Sequence, residues 1–272
     1  MTKDVSADFG YYQLLGHSEK ARWVFNDLPW DELDESKVDD TVIHNVKTAA
    51  FGEFTTYNAT ASFMRLFHTD IDFTQWIAVW FYEETKHPLS LIRYLGKLGV
   101  PTDEKFIHGG RQISPMLENK VDMLTANVCS EIAANTTYNH FLKMIDEPLL
   151  VEIIRNLGRD EMRHSNGFQF YLHKTIEQSE DPEGDRLRAL RTTWFLLQQG
   201  SHGVTQHPVY LTTRGMHGID ADFVEQRIRE KIVERMAKVL DLEIPNVDAV
   251  YDVYSRLKKD YRSSRKAVAA VA

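Results

Sequence analysis

Apolar residues recur every three to four positions along most of this chain, and polar stretches rich in proline or glycine separate the runs. The period predicts helices over about 38–67, 70–98, 114–145, 147–178, 185–200, 221–241 and 246–268. No alternation is long enough to build a sheet. Asp70 or Asp72 suits the N-cap of the second helix, and Gly99, Val100 and Pro101 end it. Pro148, just after Asp146 and Glu147, marks the start of the fourth. Pro88 should kink the second helix or cost it one hydrogen bond. Residues 1–36 read as an irregular lead-in with a turn at Asp27, Leu28, Pro29 and Trp30. Loops are expected around Gly109 and Gly110 and across 200–219. The expected class is all-α: a four-helix core over 37–180, with additional C-terminal helices over 181–272 packed on it.

The sharper signal is where charge is missing. Residues 48–64 carry one charged side chain, Glu53, and residues 123–142 carry one acid, Glu131. Both helices therefore read as largely buried, each with a solitary glutamate. A buried ionised carboxylate costs several kcal/mol, on the order found for ions moved out of water, unless it is paired or binds metal. The second and fourth helices offer the partners. Glu84 and His87 stand three apart, as do Glu161 and His164. On a helix such a pair shares one face, so a carboxylate oxygen and an imidazole nitrogen can reach one ion. Composition alone predicts about 0.8 Glu-x-x-His pairs in a chain of this make-up, so two pairs are weak evidence by count. Their position mid-helix, with Glu131 on the intervening helix and Glu53 on the one before, is what matters. One glutamate from each of two helices and a Glu-x-x-His from each of two others is the ligand set of ferritin-like dimetal bundles. The competing reading is a buried salt-bridge network without metal. Asp160, beside Glu161, can accept the free ring N–H of His87. Glu83 points about 100° away from Glu84 and reads as solvated or salt-bridged.

A net charge of -8 argues against nucleic acid as a partner. No apolar run approaches the roughly 18 residues a membrane helix needs, and the N-terminus lacks a signal-peptide pattern. One cysteine, Cys129, fits a reducing cytoplasm and reads as a buried small apolar residue. Arg155, Arg159 and Arg163, and the basic stretch 256–266, read as solvated helix faces.

The segment from Val79 to His87 and the segment from Asp160 to His164 resemble the soluble acyl-carrier-protein desaturases. Those enzymes share the Glu-Glu-x-x-His and Asp-Glu-x-Arg-His motifs and a tryptophan four residues before the ligand glutamate, here Trp80. The likeness covers roughly 45–178. It implies that Glu53, Glu84, His87, Glu131, Glu161 and His164 are the six ligands, with Asp160 partnering His87 on an electron route. It further implies a ferredoxin-like or flavin reductase electron donor and a homodimer. The family places a threonine three residues after the third-helix glutamate, where this chain has Ala134, with Thr136 and Thr137 on other faces.

The mixed imidazole and carboxylate set suits two iron ions; manganese or a mixed Mn/Fe pair is compatible. A reduced pair of this kind activates O2, which makes the expected function an O2-dependent di-iron oxygenase or desaturase acting on a small organic, carrier-bound or free, substrate. The alternatives are a ferroxidase or iron-storage protein, and a radical-generating metal-binding protein using Tyr82 or Tyr138. Candidate substrate-cavity residues are Tyr57, Thr60 and Met64 after Glu53, Asn127, Asn135 and Tyr138 around Glu131, and Phe168 one turn after His164, with ordinary core packing as the competing reading. His202 and His207 are candidates for a lid or for a surface role.

Overall fold

A computed structural model describes residues 9–112, 117–198 and 208–269. The described residues form eleven α-helices and two short 3-10 turns, with no strand among them. The fold is all-α, as the periodicity requires.

The four central helical lines are α2 (Asp40–Glu53) continued by α3 (Thr56–Leu66), α4 (Ile71–Lys97), α6 (Lys120–Phe141) and α7 (Pro148–Glu177). Two more helices precede or interrupt this series: α1 (Tyr11–Ala21) and α5 (Glu104–Arg111). Local chemistry sets their starts. Asp39, Asp70, Asp103 and Asn119 each accept a backbone N–H of the first turn of the helix they cap. Glu147 does the same for Leu149 and Leu150, and Pro148 follows it at N1. Pro88 lies well inside α4, which continues to Lys97.

Neighbouring helices run antiparallel. Asn135 donates to the carbonyl of Gly158, and Ser165 donates to that of Val128, so contacts descend α7 as they ascend α6. On α4 the partners of Asp72 and His87 are Tyr171 and Asp160, which runs the same way.

Two apolar clusters fill the bundle. One holds Phe63, Phe73, Trp76, Trp80, Leu124, Ile132, Phe168 and Leu172. The other holds Val46, Ala50, Leu91, Tyr94, Tyr138, Phe141, Leu149 and Leu157. Between them every line crosses a polar layer: Glu53 to Thr56, Glu83 to His87, Glu131 to Asn135, and Asp160 to His164. The site is a slab of charge between two hydrophobic cores.

Several expectations are corrected. The first long helix is two, because Glu53 ends α2 and Phe54 and Thr55 make turn bonds, with Thr55 N–H donating to the Gly52 carbonyl. The glycine pair at 109–110 is not a loop but the last turns of α5. A Cβ on Gly110 would lie 2.6 Å from the Phe51 carbonyl oxygen and 2.8 Å from the Phe54 Cβ, so the glycine lets α5 press on the break between α2 and α3. The third helix starts at Lys120, not at 114. The lead-in contains α1, anchored where Asp72 accepts the backbone N–H groups of Gly10 and Tyr11. Part of the 200–219 loop is helical, as α9 (Pro208–Gly215). His202 and His207 lie outside the described residues.

The remaining helices are α8 (Pro182–Leu197), α10 (Ala221–Leu240) and α11 (Ala249–Ala269). Leu190, Leu197, Val224, Ile228, Met236 and Val250 join the same apolar cluster as Trp80 and Phe168. No helix among the described residues is long and apolar enough to cross a membrane.

Candidate metal centre

All six side chains singled out by spacing converge in the polar layer. Glu84, Glu131, Glu161 and His164 bring ligand atoms within 4.8 Å of one another, and so do Glu53, Glu84 and His87. All six are buried. The His87 Nδ1 lies 3.5 Å from Glu53 Oε2, 3.7 Å from Glu84 Oε2 and 3.4 Å from Glu161 Oε1. The His164 Nδ1 lies 2.8 Å from Glu84 Oε1, 4.0 Å from Glu131 Oε2 and 3.9 Å from Glu161 Oε2. Glu84 and Glu161 each offer one oxygen to either imidazole, whereas Glu53 faces only His87 and Glu131 only His164. The arrangement is two half-sites joined by two carboxylates, and the imidazole centroids are 5.9 Å apart.

The back of each imidazole is held across the bundle. His87 Nε2 donates to Asp160 Oδ2 at 3.2 Å, as the sequence suggested. Reciprocally, His164 Nε2 donates to Glu83 Oε2 at 2.9 Å. Glu83 is therefore buried inside the site rather than turned to solvent. Its role was legible in a pattern the spacing argument passed over: each Glu-x-x-His is preceded by an acid, and each acid serves the histidine of the other motif. Arg163 joins the two acids, at 2.8 Å from Asp160 Oδ1 and 3.0 Å from Glu83 Oε2. Its side chain is 16% exposed, so this arginine is not on a solvated face. With both Nε2 atoms donating, the neutral form of either ring would present its Nδ1 lone pair to the carboxylates, the tautomer a metal requires.

Three of the carboxylates are also steered. Trp80 Nε1 donates to Glu131 Oε1 at 3.2 Å, Thr56 Oγ1 to Glu84 Oε2 at 2.8 Å, and the Tyr138 hydroxyl to Glu53 Oε1. Trp23 Nε1 donates to Asp160 Oδ2 at 2.9 Å, and Lys86 lies over the Trp23 ring and donates to its carbonyl. Nothing periodic marks Trp23 in the sequence. It belongs to the lead-in, and only packing brings it to Asp160.

Protons must neutralise this much buried charge where no cation does. Burial, then the Glu161 charge, pushes the Glu53 carboxyl up to about 8, and the same two causes raise Glu131 well above the usual range. Burial also works to raise Glu161, but the Glu131 carboxyl and the His87 ring beside it outweigh burial and hold that carboxylate low. Burial opposes charge on both histidines. The Glu84 charge and the Asp160 hydrogen bond carry His87 well above the usual value, and the Glu83 and Glu84 partners carry His164 up to about 9. For Asp160 and Glu83 burial likewise works upward and loses, to the hydrogen bond from His87 in one case and from His164 in the other, so both stay ionised.

A metal pair fits these residues on a test of their own making. His87 Nδ1, His164 Nδ1 and Glu84 Oε1 are buried and make no hydrogen bond, although the last two are only 2.8 Å apart. Buried polar atoms are rarely left so, and these three lie in the two groups of side chains that could each hold a cation.

A cavity of about 100 Å³ adjoins the carboxylates, between α2, α3 and α6. Asn127 and Tyr138, of the cavity candidates, line it, together with Thr55, Thr56, Ala126, Ser130, Ala134 and Thr137. Thr137 thus faces the cavity beside Ala134, while Thr136 donates to the Ile132 carbonyl. Tyr57, Thr60, Met64, Asn135 and Phe168 lie elsewhere. Tyr57 is clamped between Phe81 and Arg111, Thr60 bonds the Thr56 carbonyl, Met64 is exposed, Asn135 bonds Gly158, and Phe168 packs on Phe63, Trp76 and Trp80. The helix break after Glu53 rotates α3 off the register that a continuous helix would have given these first three. Cys129 is buried, and burial pushes its thiol up to about 12, so it stays protonated and apolar. Tyr82 is 58% exposed, away from the site.

No protein-family model and no curated protein matches the sequence. Solved structures do. An R2-like ligand-binding oxidase from Sulfolobus acidocaldarius aligns with 14% identity and a TM-score of 0.62, over 92% of this chain and 98% of that one. Two variants of an R2-like ligand-binding oxidase with an aerobically reconstituted Mn/Fe cofactor align with 13% identity and a TM-score of 0.57. One covers 95% of this chain and 98% of the other protein, and the second 93% and 92%. At such identities the likeness is one of fold: over nearly its whole length the chain adopts the ferritin-like helical architecture of the R2-like ligand-binding oxidases.

Proposed function

We propose that this chain is an O2-dependent dimetal oxidoreductase of the oxygenase or desaturase class, using two iron ions or a manganese–iron pair on an organic substrate. The observation that carries the reading is the pair of wholly buried imidazole Nδ1 atoms without hydrogen bonds, converging on four buried glutamates. Bound there, the metals supply O2 reduction and the oxidising power for an organic substrate.

The chain's own residues divide the rest. Glu84 and Glu161 hold both half-sites at a fixed spacing, and Glu53 and Glu131 close one each. Asp160 and Glu83 keep each ring in the ligating tautomer. Trp80 and Tyr138 fix carboxylate rotamers by donating to the oxygens of Glu131 and Glu53 that face away from the imidazoles, and Thr56 donates to the Glu84 oxygen on the His87 side. The two apolar clusters exclude water on either side. Trp23, half-buried at the surface and bonded through Asp160 to His87, supports electron delivery from a ferredoxin-like or flavin reductase donor.

The desaturase motifs favour an acyl substrate within this class. The small, partly polar cavity favours a slim one. Homodimerisation rests on the desaturase likeness and a cytoplasmic setting on the single cysteine. Residues 37–180 would be the metal-holding unit and 181–272 its buttress.

The test is reconstitution with iron(II), and with manganese(II) plus iron(II), followed by metal analysis, an optical spectrum after exposure to O2, and O2 uptake with an electron donor and a substrate panel. Two metals per chain and substrate-dependent O2 uptake with an oxidised product are expected. A chain that retains no metal after desalting would end the proposal. One observation favours a second reading: the buried Tyr138 hydroxyl bonded to Glu53 is placed to become a tyrosyl radical. A stable radical signal by electron paramagnetic resonance, absent in Tyr138→Phe, would select it.

A further inference from the structure

The C-terminal helix α11 is fixed to the bundle by its inner side. Val250 and Val253 are buried in the apolar cluster, and the Trp194 ring of α8 lies 5.1 Å from that of Tyr251 and 6.4 Å from that of Tyr254, centre to centre. At the far end Asp181, which caps α8, accepts the Tyr261 hydroxyl and pairs with Arg265 at 3.2 Å. The outer side carries a shallow groove of about 390 Å³, and every residue lining it comes from α11 itself, with Tyr251, Tyr254, Ser255, Lys258, Lys259 and Arg262 prominent.

Spacing explains the groove's character. Tyr251, Ser255, Lys258 and Arg262 recur every three or four positions, so they form one stripe along the helix. Tyr251 is 50% exposed, and the Lys258 Nζ lies over the Tyr254 ring at 5.3 Å. The side chains of Lys258, Lys259 and Arg262 make no ion pair or hydrogen bond among the described residues. Acids are near in sequence but turned aside. Asp260 is two residues from both Lys258 and Arg262, which puts it about 160° around the helix from them. Asp252 lines a different groove, with Glu243 and Arg256. A chain of net charge -8 therefore keeps three unpaired cations and two tyrosine rings together on one outward face.

We propose that this face of α11 rests on the surface of an anionic phospholipid bilayer, with Lys258, Lys259 and Arg262 on the lipid phosphates and the rings of Tyr251 and Tyr254 at the headgroup boundary. The charge complementarity is local, since the rest of an acidic chain would be repelled by such a surface. The make-up of the face selects a bilayer over an acidic protein. A stable protein interface packs an apolar centre inside a polar rim, and no aliphatic side chain lines this groove. A bilayer asks for no matching shape. It takes amphipathic rings at headgroup level and long cations that reach phosphate while their stems stay in apolar surroundings. The helix lies on the membrane and does not enter it, and none of these residues belongs to the metal centre.

The full-length chain is sedimented with vesicles of phosphatidylcholine alone and of phosphatidylcholine with phosphatidylglycerol in equal parts. Binding is expected to the charged vesicles only, and salt at about 1 M, where the Debye length falls to about 3 Å, should release it. A variant carrying Lys258→Gln, Lys259→Gln and Arg262→Gln should bind the charged vesicles on the order of 100-fold more weakly, at roughly fivefold per cation, with circular dichroism and metal content unchanged. Tyr251→Ser should weaken binding to the same vesicles at low salt without altering its salt dependence. Equal binding to both kinds of vesicle, binding to neither, or full binding by the triple variant overturns the proposal. Retention of the parent chain but not the triple variant on immobilised polyglutamate, with no vesicle binding, would overturn it in favour of an acidic protein.

Discussion

At the scale of single residues, the centre is organised by reciprocity. Each motif supplies a glutamate and an imidazole to the cluster and an acid to the other motif's ring, with Arg163 tying the two acids together. Glu84→Ala and His87→Ala should therefore cut metal content to one ion per chain or fewer, while far-ultraviolet circular dichroism stays close to that of the parent. Asp160→Asn keeps the shape but weakens the hold on the His87 tautomer; metal affinity should fall by about 10- to 100-fold, read by competition with a chelator. Metal loading should also depend on pH. Glu53, pushed up to about 8, and His164, up to about 9, both retain protons at neutrality that a metal must displace. Those protons leave unaided as pH rises through 8 and 9, so affinity should strengthen toward alkaline pH and weaken as pH falls. An affinity flat between pH 6 and 9 would contradict the proton inventory of the cluster.

At the scale of elements, the break between α2 and α3 decides how the first ligand meets the rest. Glu53 is the final residue of α2, and the turn at Phe54 and Thr55 redirects the chain so that Thr56 reaches Glu84. Gly110 of α5 holds that break in place by direct backbone contact. Gly110→Ala would force its methyl group against the Phe51 carbonyl and the Phe54 side chain, neither of which can swing away. A loss of about 1–3 kcal/mol is expected from overpacking, seen as a lower midpoint in urea with an unchanged slope. The same contact explains why a glycine pair that reads as a loop is helical: close approach, and not a turn, requires the missing side chains. Pro88 is tolerated because α4 is buried on both sides of it, by Glu84 and His87 before and Leu91 and Tyr94 after, and that packing outweighs one absent backbone bond.

At the scale of the whole molecule, the polar layer survives because apolar material closes it above and below. One of those closures is shared with the C-terminal helices. Leu190, Leu197, Val224, Ile228 and Met236 are buried against the core that also holds Trp80 and Phe168. A chain ended at residue 180 would expose that face and should aggregate on size-exclusion chromatography. A monodisperse, metal-binding fragment would show instead that 37–180 folds alone.

The all-helical class, most helix starts and the six converging residues were written in the sequence, because caps, helical period and isolated charges in apolar runs are local signals that burial must respect. The Asp160 to His87 bond was legible too, since a buried ring N–H needs an acceptor and one acid lay at the right register. Only tertiary packing decided the rest. It set the break after Glu53, which moved Tyr57, Thr60 and Met64 away from the cavity, brought Trp23 from the lead-in to Asp160, and buried Glu83 and Arg163 as a pair. Each of those depends on which distant segment comes to lie alongside, and periodicity within one helix carries no information about that.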